Sequence, residues 1–121
     1  MVGLGGFCGA VGRWVLSGWV QRLAGASFPL GTWAVNVAGC LALGALMGLA
    51  DTRLAFTPEA RLFLGIGVLG SMTTFSTFGY ETVELLRGGE LALGLANVAG
   101  NVVVGCGAVV LGRVLVRWAF A

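Results

Sequence analysis

Apolar residues run through this chain in long unbroken blocks instead of alternating with polar ones. Positions 2–20 contain a single charge, Arg13, and positions 23–50, 62–80 and 91–112 contain none. Each block is near or above the roughly 20 residues that an α-helix needs to span the hydrocarbon core of a bilayer. The pattern predicts an all-α integral membrane protein in the cell membrane, a multi-pass chain with four transmembrane helices at about 2–21, 30–50, 61–86 and 91–113. These spans use nearly all of residues 1–121, as a single transmembrane domain. The connections fit that division. Phe28-Pro29 opens the second span, with Pro29 near a first turn, where proline is tolerated. Positions 51–61 form the most polar loop, and Thr57-Pro58-Glu59 reads as a helix start with Thr57 as N-cap. Arg87-Gly88-Gly89-Glu90 is a tight connection, and Trp118 is placed as an interfacial anchor. A secretory leader would be followed by a polar mature chain, whereas here the rest is as apolar as the start.

Composition agrees with the blocks. Of 121 residues, 58% are hydrophobic and 10% charged, against about 25% charged in soluble domains. Seven arginines and no lysine give a net charge of +2, with no basic cluster for nucleic acid. Cys8, Cys40 and Cys106 lie far apart, an odd set that supports neither a disulfide frame nor a metal site. There is no histidine, the commonest general base and metal ligand. With no nucleophile–base pair or metal set either, no enzyme is expected. The 22 glycines include Gly5-xxx-Gly9 and Gly44-xxx-Gly48, spacings that let membrane helices approach closely. Four thin helices leave much surface to bury, which points to a homo-oligomer, most simply a dimer. With the N-terminus inside, Arg53, Arg61, Arg113 and Arg117 lie inside and Arg22 and Arg87 outside. So small a bias fits either a modest N-in preference or insertion both ways with antiparallel pairing.

Polar residues inside spans are functional candidates, because lipid cannot satisfy them. Arg13 either snorkels to an interface or faces an aqueous vestibule. Thr32 and Asn36, four apart, share a helix face and either glue the bundle or line a pore. The run Ser71-Met-Thr-Thr-Phe-Ser-Thr-Phe78 follows Gly65, Gly67 and Gly70 and places five hydroxyls within seven residues. One such hydroxyl would bond back to the preceding turn and bend the helix. Five beside glycine point to a helix break whose freed carbonyls line a cavity or bind a cation. Phe75 and Phe78 lie on one face, turned either to lipid or, through their electropositive ring edges, toward a small anion. Asn97 and Asn101 repeat the spacing of Thr32 and Asn36, as packing glue or pore lining.

Three of these stretches resemble the Fluc family of fluoride channels, also called CrcB proteins. They are Gly5-Gly-Phe-Cys-Gly-Ala-Val-Gly-Arg-Trp14, Pro29-Leu-Gly-Thr-Trp-Ala-Val-Asn-Val-Ala-Gly39, and Gly70-Ser-Met-Thr-Thr-Phe-Ser-Thr-Phe78 followed by Glu81. The resemblance implies passive fluoride export through two pores of an antiparallel, dual-topology homodimer. By motif, Phe75 and Phe78 are similar to the pore-lining rings, and Asn36 to the pore amide donor. Thr77, with Ser76 beside it, is similar to the polar track, and Asn101 is placed with this pore set. Arg13 matches the vestibule arginine and Glu81 the acid after the Phe motif. Gly70 and Thr73 resemble positions whose backbone carbonyls hold a central structural sodium ion, Na+, at the dimer interface. The fourth span matches least: Asn97 and Asn101 stand where the family often has Tyr and a hydroxyl residue.

Two rival classes differ in chemistry. A proton-coupled multidrug exporter needs a membrane-embedded carboxylate, and here Asp51 reads as a loop residue and Glu81 and Glu84 as a span end. A structural membrane subunit would carry no ion at all.

Overall fold

In a computed structural model, which describes residues 1–51 and 57–120, every regular element is helical. Helix α1 (Val2–Ala24) ends where Gly25 turns left-handed at φ 57° and donates its N–H to the Gln21 carbonyl. That conformation favours glycine because a Cβ would crowd the carbonyl. The Gln21 side chain then secures the connection. Its Nε2 donates to the carbonyls of Ala26 (2.9 Å) and Phe28 (3.1 Å), and its Oε1 accepts the Gly31 N–H (2.9 Å) in the first turn of α2 (Leu30–Ala50).

The third span opens on the expected cap. Thr57 Oγ1 accepts the Ala60 N–H at 3.2 Å, and Pro58 begins α3 (Pro58–Arg61). The helix widens to π turns over Leu62–Leu69 and tightens again in α4 (Gly70–Met72). Thr73 and Thr74 are then fully extended, with ψ of 151° and 114°, and α5 (Phe75–Arg87) starts a new helix. The span is therefore broken, as the hydroxyl-rich run predicts. At its end the Glu90 N–H reaches back to the Leu85 carbonyl (2.9 Å) and Gly89 N–H to Leu86 (3.1 Å), with Gly89 at φ 82°. This Schellman closure satisfies the last carbonyls and reverses the chain. The fourth span comprises α6 (Leu91–Ala99), a π turn at Gly100–Val104 and α7 (Gly105–Ala119).

Among the described residues, three helical stretches are long and apolar enough to cross a membrane: Leu30–Ala50, Pro58–Arg87 and Leu91–Ala119. The 23 residues of α1 give it the length, about 34 Å at 1.5 Å per residue. Its glycines, Arg13, Gln21 and Arg22 dilute its apolar character, so of the four expected spans it alone meets only the length requirement. Arg53, counted in the charge bias, lies outside the described residues.

Glycine sets how closely these helices meet. A Cβ at Gly9 would overlap the Val68 carbonyl and come within 3.1 Å of Ser71 Cβ, so α1 lies directly on the third span. Gly44 faces the Val109 carbonyl, and Gly112 the Leu41 carbonyl, so α2 and α7 meet backbone to backbone. The second half of the third span, α5, instead packs on α6.

The buried set is as polar as it is apolar: Val35, Leu46, Phe78 and Ala108 against Thr32, Thr74, Thr82 and Asn97 among the described residues. Large apolar side chains such as Leu4, Phe7, Trp14, Leu95 and Val103 face outward. A soluble domain has the reverse distribution; a bilayer accounts for this one.

Gly44→Leu is expected to destabilise the fold by about 1–3 kcal/mol through overpacking, read as a fall in the unfolding midpoint in detergent. Gly3→Ala, where a Cβ meets open space, is expected to leave that midpoint unchanged or slightly raised.

Candidate functional site

The break in the third span is where polar chemistry collects. The Thr74 N–H leaves the helical ladder and donates to Asn36 Oδ1 at 2.8 Å, while Asn36 Nδ2 donates to the Thr74 carbonyl at 3.2 Å. One side-chain amide thus satisfies both backbone groups of an extended residue. The Gly70 carbonyl, which a continuous helix would pair with that N–H, is released from the ladder. Thr74 also caps α5: its Oγ1 accepts the Thr77 N–H (3.2 Å), and its hydroxyl donates to Thr77 Oγ1 (3.0 Å) and shares a hydrogen bond with Ser76 Oγ (3.2 Å). Behind the break, Thr73 Oγ1 bonds back to the Leu69 carbonyl at 3.3 Å.

The structure brings most of the sequence candidates together. Asn36, Gly70, Thr73, Phe75, Phe78 and Asn101 line one cavity of about 280 Å³. The rings of Phe75 and Phe78 meet edge to face, with centroids 5.3 Å apart and planes at 67°. Phe78 is buried at 8% exposure and Phe75 is 82% exposed, so the pair bridges interior and surface. Asn36 Nδ2 also donates to Asn101 Oδ1 at 2.9 Å, so both of its amide hydrogens are engaged.

Thr77 and Glu81 line a neighbouring cavity of about 390 Å³ with Ser17, Gln21 and Thr32. Thr32 donates to Glu81 Oε1 at 2.6 Å, and Glu81 Oε2 is buried without a partner among the described residues. Glu81 therefore sits within α5 against α2, not at a span end, because the helix runs on to Arg87. Thr32 and Asn36 do share a face, and that face meets the third span. Arg13 lines neither cavity and makes no side-chain hydrogen bond or ion pair among the described residues. Ser76 is exposed.

Three residues matter here that the sequence did not single out for these parts: Thr74, Thr82 and, as a fully buried link, Asn97. Thr74 carried a legible signal, a hydroxyl immediately before the first turn of a new helix. Thr82 and Asn97 pair across the Gly88-Gly89 reversal, where Asn97 Nδ2 donates to Thr82 Oγ1 at 2.9 Å. Only the reversal's geometry makes them neighbours. No group of three or more His, Cys, Asp or Glu side chains stands ready for a metal among the described residues.

Long apolar helices, an outward apolar surface and a polar seam at a broken helix define a multi-pass membrane protein. The chain belongs to the CrcB family: the family model described as "CrcB-like protein, Camphor Resistance (CrcB)" matches residues 1–113. Among curated relatives, fluoride-specific ion channel FluC 1 of Moorella thermoacetica is 48% identical over 104 residues, 83% of this chain and 74% of its own. The fluoride-specific ion channel FluC of Sorangium cellulosum is 47% identical over 116 residues, 96% of this chain and 91% of its own. That of Maridesulfovibrio salexigens is 39% identical over 119 residues, 95% and 94% of the two chains.

Thr74→Val is expected to cost about 1 kcal/mol by removing the α5 cap, while Thr74→Ser retains it. Denaturant unfolding in detergent separates the two.

Proposed function

We propose that this protein is a fluoride-selective channel that lets fluoride leave the cytoplasm passively. Residues 1–121 act as a single transmembrane domain with spans at about 2–21, 30–50, 61–86 and 91–113, α1 providing the first. Two copies in opposite orientations form the working dimer, with two pores. The observation that carries this reading is the gathering of Asn36, Phe75, Phe78 and Asn101 around one cavity at the helix break. Its similarity to fluoride-specific ion channels supports the ion.

The chemistry follows from what fluoride needs. It is small, strongly hydrated and a strong hydrogen-bond acceptor, so donors must replace its water in close succession. Asn36, Thr77 and Ser76 supply amide and hydroxyl donors, and the edges of Phe75 and Phe78 supply weak positive potential. Both Asn36 amide hydrogens are already engaged, so fluoride enters by displacing an acceptor, the Thr74 carbonyl at the longer 3.2 Å bond. Entry by exchange keeps net binding weak, and a channel must bind weakly enough to release. Glu81 and Thr32 stand at the far end of this track, and Arg13, without a partner among the described residues, draws anions toward a vestibule.

A sodium ion at the dimer interface fits the donors present. The Gly70 carbonyl is released from the ladder by the extended Thr73–Thr74 pair, and a hard cation takes oxygen ligands. The carbonyls of Gly70 and Thr73 would hold it, and its charge would offset the carbonyl dipoles gathered at the break.

Efflux from liposomes holding purified protein tests the channel. Rapid fluoride loss with little chloride loss is expected, and well-reconstituted vesicles that retain fluoride would overturn the reading. Phe75→Ile and Phe78→Ile are each expected to cut fluoride flux with the dimer still assembled by size-exclusion chromatography. For sodium, a crystal structure is expected to show ion density at the dimer axis beside Gly70 and Thr73.

A further inference from the structure

Thr82 and Asn97 line neither cavity, yet they are among the most deeply placed polar side chains, Asn97 being 0% exposed. They belong to a continuous hydrogen-bonded line. The Thr82 hydroxyl donates to the Phe78 carbonyl at 2.8 Å, and Asn97 Nδ2 donates to Thr82 Oγ1 at 2.9 Å. Asn101 Nδ2 donates to Asn97 Oδ1 at 2.9 Å and to the Asn97 carbonyl at 3.0 Å. Asn36 Nδ2 donates to Asn101 Oδ1 at 2.9 Å, and in the ion-free protein Asn36 is hydrogen-bonded to both backbone groups of Thr74. The line starts at Thr74 and ends at Phe78. The first turn of α5, which carries both aromatic rings, closes it into a circuit.

Backbone groups fix its direction. Turning the Asn36 amide over would set its N–H against the Thr74 N–H and its oxygen against the Thr74 carbonyl. With Asn36 donating, Asn101 must present Oδ1, and its own Nδ2 then points at Asn97. Asn97 in turn must offer its oxygen to Asn101 and its hydrogen to Thr82. In a low-dielectric interior a partly satisfied network is costly, so these directions hold together. An apolar pair at 82 and 97 would carry none of this polarity.

We infer that Thr82 and Asn97 are positioning residues for fluoride recognition. They set the direction of the Asn101 and Asn36 amides and tie the Phe78 backbone to the break. Donors and ring edges then keep a spacing that suits a small anion. The inference rests on the channel reading above.

Fluoride and chloride efflux from liposomes is measured for the wild type, Thr82→Val, Thr82→Ser, Asn101→Ala and the Thr82→Val/Asn101→Ala double variant. Thr82→Val is expected to lower fluoride flux about fivefold or more, the effect of one lost hydrogen bond, and to narrow the preference for fluoride over chloride. Thr82→Ser, which keeps the hydroxyl, is expected to recover most of both. In the Asn101→Ala background Thr82→Val should add little, since the two act through one line. A wild type that passes no fluoride removes the channel reading itself. Wild-type flux and selectivity in Thr82→Val, or a full additive loss in the double variant, overturns the positioning role alone. Should Thr82→Val fail to assemble, Thr82→Cys, with a weaker donor of similar size, enters the same cycle against the same outcomes.

Discussion

The pairing of one side-chain amide, Asn36, with both backbone groups of Thr74 is the interaction on which the site depends. In a bilayer no water stands ready to satisfy an opened helix, and each orphaned backbone group costs several kcal/mol. A carboxamide offers one acceptor and two donors, so it substitutes for the missing turn and still reaches Asn101. The Thr74 hydroxyl satisfies the new helix's Thr77 N–H in the same place. With the break stabilised, α5 takes its own direction against α6, and the two phenylalanine rings meet beside the cavity.

That pairing requires helices close enough for short side chains to reach across. Glycine supplies the closeness. The Gly44 and Gly112 contacts bring α2 and α7 together at backbone distance, which places Asn36 beside Asn101. At Gly39 a Cβ would overlap the Thr73 methyl, so α2 also lies tight against the break. Small residues act here as distance setters, and the polar side chains complete bonds that only those distances allow.

The lone chain leaves its aromatic pair half uncovered, with Phe75 among its most exposed side chains. Apolar exposure is natural toward lipid, but Phe75 stands next to Ser76 and Thr77, which are also exposed. Both hydroxyls bond to Thr74, but their remaining hydrogen-bonding capacity would go unmet against hydrocarbon. A second copy seated on this face, as in the proposed dimer, would cover the ring, the hydroxyls and the released Gly70 carbonyl together.

Much of the architecture was legible in local pattern. Block lengths gave the helical, membrane-spanning class, Thr57-Pro58 gave a helix start that the structure bears out, and Gly88-Gly89 gave the reversal. The five hydroxyls after Gly70 gave the break, and the spacing of Thr32 and Asn36 gave their common face. Tertiary structure decided the partners. It placed Glu81 inside the bundle under Thr32, left Arg13 without a partner among the described residues, engaged both Asn36 hydrogens, and joined Thr82 to Asn97. The reason is geometric. Periodicity states which side of its own helix a residue occupies. Which group it meets depends on the separation and rotation of two helices, and these are set by glycine contacts spread over the whole chain.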